Sequence, residues 1–425
     1  MLDLKYVREN LEKYQDVLRK RHSEFPINEL LALDGQRRNI LKELQGLEHQ
    51  RNVSTSTIAS LKKDGVPVTN ELVEGQIESV RAAGNRIKEL EEQYRSTEAK
   101  INQLALRMPN FLHESVPEGL NETSDVEIRR WGSAGRTGID HIEIGAKLGL
   151  IDTDRAAKVS GARFFYLQGD LVRLNYALLN YALDFGYKKG YRLLQPPYML
   201  KSAVIQGATD LAAFEDSIYR IKDEDLNLLA TAEHAILGYH YDEILDADDL
   251  PLKYLGISAC FRKEAGAHGR DTKGIFRVHQ FEKVEQFIFS KPEDSWKYHE
   301  ELIGNVEEFF QSLELPYRVI NLCGGDLGLP SAKTYDLEVW LPGQNKFREA
   351  ASCSNCLDWQ SRRAKIRYRE GGQNHLLHTL NSTLVANTRA LISIMENNLI
   401  EDKAVRVPRV LRPYMGGQEV IEKLP

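Results

Sequence analysis

Apolar side chains between residues 28 and 108 recur at alternating steps of three and four residues, the spacing of a coiled-coil seam. Two series of this kind flank the turn-forming segment KKDGVPVTN. The seam positions are Leu30, Leu33, Arg37, Ile40, Leu44, Leu47, Arg51, Ser54, Ile58 and Leu61 in the first series, then Val73, Ile77, Val80, Gly84 and Ile87, and, after one register slip, Leu90, Tyr94, Thr97, Ile101, Leu104 and Met108. The pattern predicts two long helices that fold back as an antiparallel hairpin of roughly 50 Å, at about 1.5 Å per residue.

The pattern changes after the hairpin. Residues 109 to about 130 are polar and predict a linker, and beyond them strand-like and helix-like periods mix. Helices are predicted at 171–185 and 383–399, and strands at 253–264, 276–290, 317–322, 335–340 and 346–353. Strands with tight returns favour an α+β fold on an antiparallel sheet, so we expect two domains, 1–108 with the hairpin and 109–425.

The composition excludes several classes without selecting one. The chain has 425 residues, 42% hydrophobic and 28% charged, with a net charge of -6. These values fit a soluble globular protein and not a protein that coats nucleic acid through bulk charge. There is no apolar run of membrane-spanning length, and the segment MLDLKYVRENLEKY fits neither a secretory signal nor a transit peptide. Four cysteines do not make a disulfide scaffold, so we expect a cytoplasmic protein. Because no apolar run is long enough to span a membrane, we expect no membrane partner.

The segment FRKEAGAHGRDTKGIFRVHQFEKVE is rich in charge for a predicted β-hairpin. Alternate residues of a strand share a face, which on the second strand carries Arg277, His279, Phe281, Lys283 and Glu285. If Arg262 of the first strand joins this face, the surface offers arginine forks for phosphate, a ring for a purine and a carboxylate for an amine or hydroxyl. A solvent-facing hairpin with structural ion pairs has the same pattern, so the spacing leaves both interpretations open.

Longer motifs add a family resemblance. FRKE followed by Arg277-x3-Phe281-x3-Glu285 resembles motif 2 of class II aminoacyl-tRNA synthetases. The segments GLGLPSAKTYDLEVWLP, REAASCSNCLDWQSRRAKIRYR, LHTLNSTLVANTR and VPRVLRPYMGG are similar to the catalytic domain of the seryl-tRNA synthetase family. The resemblance covers essentially the whole chain. It implies a class II sheet and a ligase that forms seryl-adenylate from L-serine and ATP and then transfers serine to the 3′ end of tRNA(Ser), with tRNA(Sec) suggested as a second substrate.

The resemblance implies an ATP site made of Arg262, Glu264, Arg277, Val278, Phe281, Glu349, Ser352 and Arg389. By analogy Arg262 holds the α-phosphate and the serine carboxylate, and Arg389 holds the γ-phosphate side. These two arginines are the implied catalytic groups. Phe281 is expected to stack on adenine, whose edge meets the backbone at Val278.

A serine pocket is implied at Thr231, Glu233, Arg262, Glu285, Asn381 and Thr383. In this pocket Glu285 would take both the ammonium and the side-chain hydroxyl. An analogue without the hydroxyl would leave buried polar groups unpaired, whereas threonine's extra methyl must be rejected by a tight wall.

Two features concern metals. Glu349 and Ser352 resemble the family residues that hold Mg²⁺ with the ATP phosphates, and oxygen ligands suit that ion. Cys353 and Cys356 have the spacing of zinc ligands, but no second pair accompanies them, so no zinc is expected.

The resemblance also implies partners. The hairpin at 28–108 matches the family's tRNA-binding arm, although it carries twelve acidic and twelve basic residues and its charge does not predict RNA binding. Arm residues that could contact tRNA are Arg37, Arg38, Lys42, Arg81, Arg86 and Arg95. Pro197, seven residues after Gly190, resembles the motif 1 proline of the family's homodimer interface. The segment NSTLVANTR departs from many class II motifs by having no glycine before Arg389.

Two other classes of protein remain to be weighed. A catalytically silent paralogue would keep the fold and bind only RNA or a partner protein, and it could lose any of Arg262, Glu285, Glu349 or Arg389, all of which are present. An aminoacyl-carrier-protein ligase would share the catalytic core but lack the long arm.

Overall fold

The computed structural model describes residues 2–135, 137–210, 217–264 and 273–423. Two compact units are formed along the chain. The first contains the residues up to Gln15 together with Glu24–Met108, and the second contains Asp16–Ser23 together with the chain from Pro109 onward. Of the hairpin loop predicted at 265–275, residues 265–272 lie outside the described residues.

In the described residues the α-helices are α1 Leu4–Glu9, α2 Leu11–Lys20, α3 Ile27–Lys63, α4 Glu71–Ala105, α5 His141–Leu148, α6 Thr153–Ser160, α7 Asp170–Lys188, α8 Ser202–Ala208, α9 Ala232–Tyr239, α10 Ser295–Ser312, α11 Trp359–Ala364 and α12 Asn387–Asn397.

In the same residues the strands are β1 Val126–Trp131, β2 Ile151–Asp152, β3 Tyr166–Leu167, β4 Arg192–Leu194, β5 Met199–Leu200, β6 Asn227–Leu228, β7 Ile244–Asp246, β8 Leu252–Phe261, β9 Gln280–Ser290, β10 Tyr317–Asn321, β11 Lys333–Leu341, β12 Lys346–Asn355, β13 Arg367–Glu370, β14 Gln373–Leu376, β15 His378–Ala386, β16 Leu399–Ile400, β17 Ala404–Arg406 and β18 Val420–Glu422.

The predicted helical hairpin is confirmed as α3 and α4. The two helices run antiparallel, because Arg86 Nε donates to Glu43 Oε1 at 2.9 Å and, further along, Gln50 Nε2 donates to Ser79 Oγ at 3.4 Å. Asn70 caps the start of α4 through the backbone N–H of Leu72.

The predicted register slip in the second helix is wrong. Ile77 is 40% exposed, whereas Ala83 is buried. The true seam runs through Val73, Gln76, Val80, Ala83, Ile87 and Leu90, which keeps the three-four step without interruption. Choosing the most apolar residue, Ile77, over its polar neighbour Gln76 produced the false slip.

An eight-stranded sheet forms the centre of the second unit, in the order β1-β10-β11-β12-β15-β9-β8-β4. All neighbouring pairs are antiparallel apart from β4 and β8. This confirms the predicted α+β class with an antiparallel sheet. The helix α7 packs its predicted apolar face into the core, since Leu171, Leu174, Leu178, Ala182 and Phe185 are all buried.

Two predicted boundaries are wrong. The helix predicted at 383–399 begins only at Asn387, because residues 383 to 386 finish the central strand β15. That strand is buried on both faces and ends in the apolar run Leu384-Val385-Ala386, which has no alternation that would distinguish it from a helix. The strand predicted from residue 276 begins at Gln280, so Arg277 precedes β9.

The helix α9 packs closely against β8 at Gly256. A Cβ atom at Gly256 would lie 2.8 Å from Ile236 Cδ1 and 3.0 Å from Ala232 Cβ. The absence of a side chain at this position therefore allows the start of α9 to approach the sheet.

The N-terminal unit contains a buried carboxylate whose removal can be tested. Asp34 is 1% exposed and accepts from Arg8 Nη1 at 2.5 Å and Arg37 Nη2 at 2.6 Å, which joins α1 to α3. We expect Asp34→Asn to destabilise the first unit by about 1–3 kcal/mol, the size of a lost hydrogen bond to a charged group. Faster amide hydrogen exchange in α1 and α3, with unchanged exchange in β8 and β9, would be the measured result.

The control is Glu43→Gln, which breaks the exposed pair with Arg86. Because exposed pairs contribute little, its exchange should match wild type. Equal exchange rates in the Asp34 variant and the wild type would contradict the structural role of Asp34.

Candidate active site

A cavity of about 890 Å³ lies over the sheet of the second unit. All the site residues expected from the sequence line it: Thr231, Glu233, Arg262, Glu264, Arg277, Val278, Phe281, Glu285, Glu349, Ser352, Asn381, Thr383 and Arg389. They come from the start of α9, from the segments that follow β8 and precede β9, and from β9, β12, β15 and α12. Residues up to 158 positions apart in the sequence are thus brought to one concave surface.

The β-hairpin predicted for the motif 2 segment is confirmed in the described residues, where β8 and β9 pair antiparallel. Arg262 continues the pairing of β8, since its backbone N–H donates to His279 O at 2.9 Å. Its guanidinium carbon lies 5.3 Å from the centre of the Phe281 ring, and its Nε donates to Ala230 O at 3.2 Å. Among the described residues no carboxylate lies within ion-pair distance of Arg262, so its remaining donors are available for an anion.

Arg277 reaches the cavity from the segment before β9. Its Nη1 lies 3.2 Å from Glu264 Oε2, and its buried Nε has no hydrogen-bond partner among the described residues. The segment is anchored from behind, because the backbone N–H of Ile275 donates to His141 Nε2 at 3.3 Å and His141 Nδ1 contacts Glu396 Oε1 at 3.0 Å. The position of Arg277 therefore depends on a contact with α5 and α12 that strand alternation could not predict.

Arg389 lies near the start of α12, at the other side of the cavity. Its Nη1 contacts Glu349 Oε1 at 2.8 Å and donates to Glu349 O at 3.0 Å. The Phe276 ring centre lies 5.0 Å from its guanidinium carbon. The charge of Arg389 lowers the pKa of Glu349, so this carboxylate is ionised at neutral pH.

Further oxygen donors lie beside the Arg389–Glu349 pair. Asp336 lies opposite Ser352 in the β11–β12 ladder, and its buried Oδ1 has no hydrogen-bond partner among the described residues. Burial, and then the charge of Glu349, raise the pKa of Asp336. Two carboxyl groups, one of them with an unsatisfied oxygen, and a hydroxyl form a donor set that fits a hard divalent cation such as Mg²⁺.

Glu285 lies at the dry end of the cavity. Its Oε2 contacts Lys283 Nζ at 2.5 Å and accepts from Thr383 Oγ1 at 3.3 Å. Lys283 Nζ also donates to Thr231 Oγ1 at 2.7 Å. Thr231 is the N-cap of α9 and accepts from the backbone N–H of Glu233, so one lysine joins β9 to the start of that helix.

Glu233 belongs to a second polar chain. Its Oε1 accepts from Gln360 Nε2 at 2.7 Å and from Asn381 Nδ2 at 3.2 Å, and Thr379 Oγ1 donates to Gln360 Oε1 at 2.6 Å. Burial, and then the negative charge of Glu285, raise the pKa of Glu233 to about 7. This carboxyl can therefore change its protonation state near neutral pH.

Three contributing residues were missed from the sequence. Lys283 was expected on the correct face but was given no role, and Asp336 and Gln360 were not considered. The strand alternation carried a signal for Lys283, whereas Asp336 and Gln360 could be found only through the pairing of β11 with β12 and the position of α11.

The two cysteines with zinc-ligand spacing are buried thiols. Cys353 Sγ contacts the backbone oxygen of His299 at 3.7 Å, and Cys356 Sγ accepts from Asn381 Nδ2 at 3.6 Å. Burial raises the pKa of both thiols. Cys356 thus lines the cavity next to the expected serine pocket.

Residues 217–398 match the tRNA synthetase class II core domain (G, H, P, S and T). This match includes every cavity residue expected from the sequence. The fold is therefore that of a class II aminoacyl-tRNA synthetase.

Residues 1–112 match the seryl-tRNA synthetase N-terminal domain. A serine–tRNA ligase of Nitrosopumilus maritimus is 47% identical over 426 residues, which is 99% of this chain and 100% of that protein. The chain belongs to the seryl-tRNA synthetase family.

Two solved structures are similar over the full chain. The seryl-tRNA synthetase of Pyrococcus horikoshii complexed with ATP has a TM-score of 0.95 and 46% identity, with 100% of both chains covered. A cytoplasmic serine–tRNA ligase of Naegleria fowleri in complex with AMP has a TM-score of 0.89 and 35% identity, covering 100% of this chain and 99% of that one. In the part of this chain that the structure describes, no helix is both long and apolar enough to cross a membrane.

The raised pKa of Glu233 gives a testable pH dependence. An acid whose pKa rises from 4.5 to about 7 on folding makes the protein lose stability as the pH rises through that interval. Glu233→Gln removes this loss, so the variant should gain about 1–3 kcal/mol relative to wild type between pH 5 and pH 8, since a tenfold change in a protonation equilibrium corresponds to about 1.4 kcal/mol. Urea unfolding of both proteins at the two pH values measures the difference.

Glu370→Gln is the matched control, because Lys291 lowers the pKa of this exposed carboxylate. It should not gain stability relative to wild type as the pH rises. If the stability difference between Glu233→Gln and wild type were the same at both pH values, folding would not raise the pKa of Glu233.

Proposed function

We propose that the protein is a serine–tRNA ligase, which activates L-serine with ATP and transfers it to the 3′ end of tRNA(Ser). The observation that carries this proposal is Arg262, whose guanidinium lies over the Phe281 ring in the cavity that Glu285 also lines and has no acidic partner among the described residues. Membership of the family supports it, and tRNA(Sec) stays a further candidate substrate.

Arg262 would hold the α-phosphate of ATP and the carboxylate of serine. Both groups are anions, and a guanidinium fork can bind each of them through paired hydrogen bonds. In the reaction a serine carboxylate oxygen attacks the α-phosphorus, the bond to the β-phosphate bridge breaks and pyrophosphate leaves. The arginine stabilises the charge on the phosphorus centre, so no protein nucleophile is required.

The remaining ATP contacts would lie along the cavity, from the Phe281 ring to Arg389 on α12. Phe281 would stack on adenine, with the Val278 backbone at its edge. Glu264 would order the nearby segment through Arg277, and Arg277 would steady the phosphates. Arg389 would exchange its contact with Glu349 for the γ-phosphate side.

The charges of the cavity support a metal with ATP. Among the described residues, six carboxyl groups line it, Glu233, Glu264, Glu285, Asp326, Asp336 and Glu349, against four cations, Arg262, Arg277, Lys283 and Arg389. A triphosphate would add its own negative charge to these carboxyl groups, and Mg²⁺ held by Glu349 and Ser352 would offset both. When bound, the ion would neutralise phosphate charge.

The serine pocket would be Thr231, Glu233, Arg262, Glu285, Asn381 and Thr383. Glu285 would accept from the serine ammonium and hydroxyl, while Thr383 and Asn381 fix the carboxylates around it. A ligand without the hydroxyl would leave this buried polar set unsatisfied, which disfavours it strongly. In the second step a hydroxyl of the terminal tRNA ribose attacks the seryl carbonyl, and AMP leaves.

The two domains would have different functions. We propose that residues 109–425 carry out catalysis and that residues 1–108 bind tRNA through the helical arm. Of the arm cations, Arg37 and Arg38 contact Asp34, and Arg86 contacts Glu43. Lys42, Arg81 and Arg95 have no ionic partner among the described residues, which makes them the better candidates for RNA contacts.

The protein would act as a cytoplasmic homodimer. Large apolar side chains are exposed on α7 and on the strands that follow it, namely Tyr176, Tyr187, Leu193 and Met199. They lie in the region that resembles motif 1, near Pro197. An exposed apolar surface of this kind favours association between subunits.

Serine-dependent exchange of pyrophosphate into ATP tests the proposal. With each amino acid in turn, exchange should be fastest with L-serine and should require Mg²⁺. Arg262→Ala should reduce the rate by at least about 100-fold, the size expected when a charge that stabilises the transition state is removed. Circular dichroism should show an unchanged fold.

The matched control is Arg369→Ala, which removes an exposed arginine of β13 outside the cavity. Its exchange rate should equal that of the wild type. Exchange of Arg262→Ala within a few-fold of the wild type would contradict the role given to Arg262, and exchange with another amino acid alone would contradict the assigned substrate.

The arm can be shortened without disturbing its base. Because Glu43 faces Arg86 and Gln50 faces Ser79, removing residues 47 to 82 cuts both helices at facing positions. A short Gly/Ser turn rejoins them. Pyrophosphate exchange should be retained, whereas KM for tRNA(Ser) should rise about tenfold or more, corresponding to at least about 1.4 kcal/mol of lost binding.

Lys42→Ala combined with Arg81→Ala in the full-length chain gives the matched comparison. It should raise KM for tRNA less than the shortened arm does, with unchanged exchange. Wild-type aminoacylation by the shortened protein would rule out a tRNA-binding role for the arm.

A further inference from the structure

Lys283 is a buried cation with two partners inside the expected serine pocket. Its side chain is only 7% exposed, and its ammonium lies 2.5 Å from Glu285 Oε2 and 2.7 Å from Thr231 Oγ1. Burying an ammonium is costly unless it is paired and hydrogen-bonded, and here both conditions are met. The lysine lies where β9 meets the start of α9, and the ATP and serine contacts proposed above do not use it.

The contacts of Lys283 determine the geometry of two serine-binding groups. Thr231 caps α9 by accepting from the backbone N–H of Glu233, so its hydroxyl oxygen is directed by both the helix and the lysine. Among the described residues, the contacts of the Glu285 carboxylate are both to Oε2, from Lys283 and from Thr383. Oε1 is thus the oxygen left for a ligand.

The other titratable groups around Lys283 are either neutral near pH 7 or contribute to the charge balance of the serine pocket. The Cys260 thiol on β8 has a raised pKa because it is buried, and His234 on α9 has a pKa lowered to about 3 by burial. Both are therefore neutral near pH 7. Glu233 and Arg262 are the remaining charged neighbours, so two carboxylates, Glu233 and Glu285, face two cations, Arg262 and Lys283.

We propose that Lys283 is a positioning residue of the serine site, which fixes Glu285 and Thr231 and supplies the positive charge that balances the pocket for a zwitterionic amino acid. This inference rests on the proposed function. With Lys283 present, two carboxylates and two cations receive a ligand that carries one ammonium and one carboxylate. Without it the pocket has an excess of one negative charge whenever Glu233 is ionised, and Glu233 and Glu285 then repel each other without compensation.

The pH dependence follows from that balance. The ammonium of Lys283 lowers the pKa of Glu233, so its removal leaves a larger fraction of the Glu233 carboxyl protonated at a given pH. A protonated carboxyl no longer attracts the serine ammonium. Serine binding should therefore be weakest at low pH and should recover as the pH rises, whereas an ion pair with a purely structural role would give no such pattern.

The experiment measures serine-dependent pyrophosphate exchange from pH 6 to pH 9 with wild type, Lys283→Met and Lys283→Arg. Lys283→Met should raise KM for serine about tenfold or more at pH 7, as expected from losing a hydrogen bond to a charged group. KM for ATP should stay at the wild-type value. The acidic limb of kcat/KM for serine should move to higher pH in Lys283→Met and return to the wild-type position in Lys283→Arg, which keeps the charge.

Lys253→Met is the matched control, because Lys253 on β8 pairs with Glu301 at 2.8 Å and does not line the cavity. It should leave KM for serine and the pH profile unchanged. A wild-type KM and profile in Lys283→Met, or the same change in Lys253→Met, would overturn the inference.

If Lys283→Met does not fold, Lys283→Arg still decides the charge role. A wild-type acidic limb with a raised KM for serine would support it, and a shifted acidic limb would overturn it. Absence of serine-dependent exchange in the wild type would instead contradict the proposed function, so the two failures are distinguishable.

Discussion

The pairing of β9 with β8 on one side and β15 on the other is the constraint on which the site depends. Glu285 lies opposite Gly256 and opposite Thr383 in these two ladders. Because side chains alternate along a strand, a slip of one residue would turn Glu285 and Lys283 away from the cavity together. Since Gly256 also admits the close approach of α9, the same register brings Glu233 to the Glu285 carboxylate.

Three of the four cations that line the cavity in the described part of the chain are paired with carboxylates. The pairs are Arg277 with Glu264, Lys283 with Glu285, and Arg389 with Glu349. Each pair keeps a long side chain in one position, which reduces the rotamer entropy lost when a ligand binds. Arg262 differs, because it is held by a carbonyl oxygen and a ring and keeps its charge for an anion.

The sequence was sufficient where a feature depended on a local period and insufficient where it depended on tertiary contacts. The antiparallel sheet, the long hairpin and the thirteen cavity residues could all be expected in advance, although the residues came from family resemblance and not from spacing. The start of α12 was missed because β15 ends in an apolar run that is buried on both faces. Arg277 was assigned to a strand although a contact with His141 holds its segment. Gln360 could not be found, since only the folding of α11 against β15 brings it to Glu233.

The two ends of the cavity differ in how their ion pairs meet solvent, and this difference suits the phosphate-binding and serine-binding roles proposed for them. At the phosphate end, Glu349 and Arg389 are 45% and 22% exposed, so water screens their attraction and the contact can be exchanged for a ligand at low cost. At the serine end, Lys283 and Glu285 are 7% and 2% exposed, and separating them would leave a charge unpaired in a dry environment. The end proposed for the phosphates would therefore adapt as ATP is bound and cleaved, whereas the end proposed for serine would keep its pairing throughout and recognise a ligand that fits the charges already present.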